Sequence, residues 1–185
     1  MKKIDHVYWI VHPAYCLNPA YDEDQRSKKE IENFIHDKIN PVIKRAQGEP
    51  NSIVIFLKTP HSSTQGLKSK FGEFRKRRIE SQIETFVNRM LPTRSIVYYT
   101  NWVRFNASLT QLKTTHDLDE ILKEKGFEIP KKIKMESYGS MWEVCSKEFP
   151  HAFLTHLEKQ GKIKVPESGN LHSRAYRQYH QQKKP

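Results

Sequence analysis

The chain has 185 residues, a net charge of +11, 11% aromatic and 29% charged residues, and two cysteines, Cys16 and Cys145. Its length and aromatic content point to one domain with a folded core and argue against disorder. Two cysteines exclude a disulfide framework, which suits a reducing cytoplasm. The charge excess favours polyanions, phosphorylated ligands or anionic surfaces and carries no information about fold.

The N-terminal "MKKIDHVYWIVHPAYC" sets two lysines before an apolar run, as a secretion signal would. The run is short, Asp5 and His6 precede it and His12-Pro13 ends it, so it reads as a buried strand. Over residues 22–47, Ile31, Phe34, Ile35, Ile39, Val42 and Ile43 recur at helical spacing behind the cap-like "DEDQ". Pro41 should kink or split that helix, because it lacks an amide hydrogen and its ring crowds the preceding turn. "SIVIFLK" is the second strand. A long amphipathic helix follows, with Phe71, Phe74, Ile79, Ile83, Phe86, Val87 and Met90 inward, and then "RSIVYYT" as the third strand.

"SLTQ" opens a helix on which Leu109, Leu112, Leu118, Ile121 and Leu122 line one face until Gly126 stops it. "KKIKMESY" is the fourth strand, a helix from Met141 to about Gln160 is expected to bend at Pro150, and "KIKV" is the expected fifth strand. No stretch is long enough to span a bilayer, so a soluble, cytoplasmic protein is expected.

Strand followed by helix, repeated four times, marks a parallel sheet covered on both faces. The expected fold is therefore α/β, a three-layer α/β/α sandwich with a mostly parallel, Rossmann-like sheet of about five strands. Residues 1–165 form a single domain, and 166–185 form a basic polar tail, an arm or disorder. Ligands of such sheets sit beyond the carboxyl ends of the strands, near the place where strand order reverses. Those ends are His12 to Tyr15, Lys58 to Gln65, Thr100 to Asn106 and Tyr138 to Glu143. The candidate ligand contacts there are Lys58, Thr59, His61, Ser62, Asn101, Trp102, Tyr138, Gly139 and Ser140. The loop "KTPHSSTQG" is the richest in donors suited to an anion.

Several motifs are absent from the sequence. It has no GxGxxG after the first strand, no GxxxxGK[ST], no acidic pair at a strand end for magnesium, no zinc-ligand spacing and no GxSxG elbow. No cofactor and no metal are expected.

Ser140 and Glu143 have capping-box spacing at the start of the helix that carries Cys145. Cys145 lies one residue past the first turn, where the field of the helix end fades, and shares a stripe with Met141, Trp142, Phe149 and Phe153. On those grounds it reads as a core thiol. The run from "LDEILKEKGF" to "SYGSMWEVCSKEF", with Gly139 six residues before Cys145, resembles the corresponding run of isochorismatase-like cysteine hydrolases. The resemblance covers mainly residues 118–170. It implies a thiolate at Cys145 that attacks an amide or related carbon. In the family an aspartate after the first strand and a lysine before the third helix activate the thiol; here those places hold His12 and Arg104. His12 can serve a thiol as base, whereas an arginine cannot exchange a proton near neutral pH. Cys145, His12 and Arg104 are thus the candidate catalytic residues.

The positive charge supports a second function. Between Gly66 and Arg94, the basic residues Lys68, Lys70, Arg75, Lys76, Arg77, Arg78, Arg89 and Arg94 outnumber the acids Glu73, Glu80 and Glu84. The end of the chain sets Arg174, Arg177, Lys183 and Lys184 among Tyr176 and Tyr179. Solvated faces explain such runs without a ligand, and nucleic-acid or polyanion binding through residues 68–78 and the tail is the functional alternative. The expected partners are a small, anionic molecule or nucleic acid, with no membrane; homo-oligomerisation is left open.

Overall fold

The computed structural model describes residues 1–14, 32–58, 67–100, 107–128, 133–139, 148–161 and 171–175, with backbone alone for 67–76, 107–112, 148 and 171–175. The strands are β1 (Lys2–Lys3), β2 (His6–Val11), β3 (Ser52–Lys58), β4 (Ser95–Tyr99), β5 (Phe127–Glu128), β6 (Lys134–Gly139) and β7 (Leu171–Ala175). The helices are α1 (Asn40–Gly48), α2 (Leu67–Met90), α3 (Ala107–Glu124) and α4 (Glu148–Lys159). Five strands form one parallel sheet in the order β4-β3-β2-β6-β7, and β1 and β5 form a separate parallel pair. The α/β expectation holds, with a parallel main sheet of five strands.

Strand β2 is central because its sequence suits burial on both faces, and all six of its residues are buried. Val7, Trp9 and Val11 join Ile53, Ile55, Leu57 and Met135 against Leu118 and Leu122 of α3 and Phe149, Phe153 and Leu157 of α4. Tyr8 and Ile10 join Val54 and Phe56 against Val42, Ile43 and Ala46 of α1 and Ile79, Ile83 and Val87 of α2. Each buried aliphatic or phenyl side chain contributes about 1.5–3 kcal/mol by leaving water. Two apolar clusters of this size fix the register of β2, since a slip of one residue would exchange them.

The chain lays β3 and then β4 on one side of β2, and then crosses to place β6 and β7 on the other. Strand order therefore reverses between β2 and β6, where Val11 pairs with Gly139 at the last rung.

Several local expectations need correction or refinement. Pro41 does not simply bend its helix. A π-helical turn, Ile35–Ile39, precedes it, and the amide of Asn40 donates to the carbonyl of Ile35, five residues back. The wider turn suits a following proline, which has no N–H to give and whose ring crowds the carbonyl four residues earlier. Gly126 ends the α3 segment as expected, with φ of 72°. Pro150 stands in the first described turn of α4, and the start expected at Met141 lies outside the described residues. The fifth strand of the sheet is Leu171–Ala175, inside the segment expected to be an arm, whereas "KIKV" lies outside the described residues. No helix among the described residues is long and apolar enough to cross a membrane.

Candidate functional site at the carboxyl edge of the sheet

Strand β2 ends at Val11, and His12 follows with φ of 44°, the one non-glycine with positive φ among the described residues. This conformation is costly for a residue with a Cβ, and doubly unusual before Pro13, because the proline ring pushes its predecessor towards extended backbone. Several contacts hold His12 in place. Its amide donates to the carbonyl of Leu57 at 3.0 Å, and its Nε2 lies 2.5 Å from Oγ1 of Thr100. The ring meets Phe149 of α4 edge-on, with centroids 5.7 Å apart. Thr100 in turn donates its hydroxyl to the carbonyl of Lys58 at 3.2 Å. The ends of β2, β3 and β4 are thus tied together around one imidazole that is only 1% exposed.

Two rungs in from the last, Trp9 on β2 pairs with Ser137 on β6. Both are fully buried, and neither Nε1 of Trp9 nor Oγ of Ser137 has a hydrogen-bond partner among the described residues. Orphaned buried donors are rare and costly, so a neighbouring pair at the reversal point is a notable local feature. Trp9 belongs to the apolar cluster that contains Phe149 and Phe153, and its ring meets Phe153 edge-on at 5.4 Å.

Lys58, expected to offer a free ammonium to an anion, is 5% exposed and bound within the protein. Its Nζ lies 2.6 Å from Oε2 of Glu84 and 2.6 Å from the Tyr99 hydroxyl. Burial by itself would lower its pKa, but the hydrogen bonds to Glu84 and Tyr99 and the charge of Glu84 outweigh it and hold the ammonium above its usual value. Lys58 braces α2 against the end of β3.

Tyr138 also departs from its expected role. Its hydroxyl turns back along β6, donating to Oε2 of Glu136 at 2.6 Å and accepting from Arg45 at 3.1 Å. Gly139 closes the last rung of β6 between Val11 and Ala175.

The remaining candidates fall outside the described residues: Thr59, His61, Ser62, Asn101, Trp102, Arg104, Ser140, Cys145 and Arg177. Of the basic candidates, Arg77 and Arg78 are exposed on α2. Lys68, Lys70, Arg75 and Lys76 of α2 and Arg174 of β7 are described for backbone only.

A second polar group lies on the α1 face of β2 and β6, and none of its members except Tyr138 was a candidate. Glu136 accepts from Tyr138 and, through a very short contact, from Arg45, with Nζ of Lys134 at 3.1 Å. His6 reaches Oε2 of Glu49 at 2.9 Å through Nδ1 and stands 3.3 Å from Oε1 of Glu136 through Nε2. Tyr8 donates to Glu49 at 3.0 Å and accepts from Nε of Arg45 at 3.0 Å. Burial pushes the Tyr138 phenol up to about 12, helped by Glu136. These groups hold α1 to β6.

Arg94, counted above in the basic excess, is also internal in function. It donates to the carbonyls of Ala46 at 3.0 Å, Gln47 at 3.0 Å and Glu49 at 2.5 Å, capping the carboxyl end of α1. No sequence motif announces such a cap, since donor and acceptors are more than forty residues apart.

Around the carboxyl edge, the His12 imidazole, the Thr100 hydroxyl and the donors of Trp9 and Ser137 are all shielded from solvent. Comparison with protein-family models, with curated proteins and with solved structures finds no match for this chain, and its likeness to the isochorismatase-like hydrolases rests on the quoted residues alone.

Proposed function

We propose that the protein binds a small polar molecule at the carboxyl edge of its sheet, between the ends of β2 and β6, and acts on it as a cysteine hydrolase-like enzyme. His12 is the acid-base group and Cys145 the nucleophile. The thiolate would attack an acyl carbon, the leaving group would depart with a proton from His12, and water would then cleave the thioester.

One observation carries the reading: a buried histidine in left-handed backbone, before a proline, at the point where strand order reverses. Strain of this kind persists only where surrounding contacts enforce it, and it collects at active sites. The orphaned donors of Trp9 and Ser137, two rungs in from the end of β2, add acceptor-binding capacity on the α4 side.

The test is the alkylation rate of Cys145 by iodoacetamide against pH, in a Cys16→Ser background with and without His12→Gln. An apparent thiol pKa well below the ordinary value of about 8.5, moved by the histidine substitution, is expected. A thiol that titrates at its ordinary value in both proteins, or resists alkylation throughout, would leave Cys145 as a core residue and end the proposal.

A further inference from the structure

Helix α2 shows a cationic stripe that is independent of the carboxyl edge. Arg78, Ser81, Gln82, Thr85, Phe86 and Arg89 line a depression of about 510 Å3 on its outer side. The spacing of three or four residues places them on one face. Arg78, Ser81, Gln82, Thr85 and Arg89 are exposed and Phe86 is half-buried. The guanidinium of Arg89 lies over the Phe86 ring, 5.4 Å from its centroid. Among the described residues no carboxylate lines this depression.

A second depression of about 340 Å3 shares Gln82 and Phe86 with the first. Its character differs. Ile35, Ile79 and Ile83 form apolar walls, and Glu32, His36 and Asn40 complete the lining. The two together join a half lined by Arg78, Arg89, Ser81 and Gln82 to a mainly apolar half that carries Glu32 and an aromatic edge. That is the division of a nucleotide into phosphate and base.

We propose that this double groove binds single-stranded nucleic acid, with phosphates meeting Arg78 and Arg89 and a base seated against Phe86. The occupant follows from charge complementarity and length. The two arginines are eleven positions apart, about 16 Å along the helix axis, which is longer than one nucleotide. The chain's charge of +11 and the further basic residues of the same helix extend the favourable field along a strand. Aromatic and guanidinium stacking accepts any base, so weak sequence preference and strong salt dependence accompany the binding.

The experiment is fluorescence anisotropy of a labelled oligothymidylate against the full chain across a salt series. The comparisons are an abasic oligomer of the same length, thymidine monophosphate and heparin. Saturable binding at low salt is expected. Arg78→Gln and Arg89→Gln should each weaken it several-fold and lower the slope of log affinity against log salt by about 0.7. Thr85→Glu, an exposed change to a good helix former, should abolish it while circular dichroism stays unchanged. The abasic oligomer should bind at least about five-fold more weakly. The proposal is overturned by no binding at low salt, or by substitutions that leave affinity and slope intact. An abasic strand or heparin bound as tightly as the oligomer would remove the base seat, and a mononucleotide bound as tightly would remove the strand.

Discussion

Arg45 on α1 donates to the hydroxyl of Tyr138 on β6 at 3.1 Å, and both residues donate to the same oxygen of Glu136. One helix is thus tied across β2 to the strand beyond it. Glu136 is 8% exposed, and a carboxylate buried so far stays charged only because it is so fully bonded. Burial by itself would raise its pKa; the hydrogen bonds from Tyr138 and Lys134 and the charge of Arg45 outweigh that and hold it below the usual range. Glu136→Gln should lower unfolding free energy by about 1–3 kcal/mol in urea. Arg45→Lys should rescue little, because one ammonium cannot reproduce the planar fork that reaches Tyr8, Tyr138 and Glu136. Wild-type stability in either variant would contradict this role.

The same group sets the response to acid. Burial holds the His6 imidazole below its ordinary value, against the hydrogen bond and charge of Glu49 and the charge of Glu136. A histidine depressed in this way is neutral when folded and takes its proton more readily when unfolded. The unfolded state therefore binds more protons as pH falls below about 6.5, and stability drops. Glu136, also depressed, continues the loss at lower pH, once the unfolded carboxylate begins to protonate. The urea midpoint should fall between pH 7.5 and pH 5, and His6→Gln should flatten that fall. An equal slope in the two proteins would remove His6 from the account.

Arg94 makes a simpler prediction. Its guanidinium is the shared donor to three carbonyls at the end of α1, so Arg94→Ala should cost about 1–3 kcal/mol of stability. Amide exchange should rise in α1 and the turn up to Ser52 more than in α3. Uniform exchange changes would show that the residue acts elsewhere.

Ser137→Ala should behave in the opposite way. Removing a fully buried hydroxyl that has no partner among the described residues relieves a desolvation penalty, so stability should match or exceed that of the wild type. A loss above about 1 kcal/mol would mean that the hydroxyl is satisfied in solution.

The sequence was informative where a local pattern carries the signal. "SIVIFLK" is β3 residue for residue, because an apolar run of that length between turn residues has one economical reading as a buried parallel strand. Alternating strands and helices point to the parallel sheet, and with it the carboxyl edge where His12 stands. Local pattern fails where the partners are distant. Glu136 interrupts an apolar run and looks misplaced until Arg45, 91 residues away, is brought against it. Lys58 and Arg94 resemble free cations for the same reason. Strand β7 was missed because "LHSRA" is polar and lies at the edge of the sheet, where pairing with β6 requires little apolar surface. The two-residue β5 is too short for any periodicity.

In the proposed enzyme the segments leaving β2 and β6 build one site. Its most direct measurement is the imidazole nitrogen spectrum of the Cys16→Ser protein before and after alkylation of Cys145. The exposed rings of His36 and His151 serve as internal controls. The His12 signals should move while those two stay in place. If alkylation goes to completion and His12 does not respond, the thiol and the imidazole belong to different regions of the molecule, and the hydrolase-like reading is contradicted.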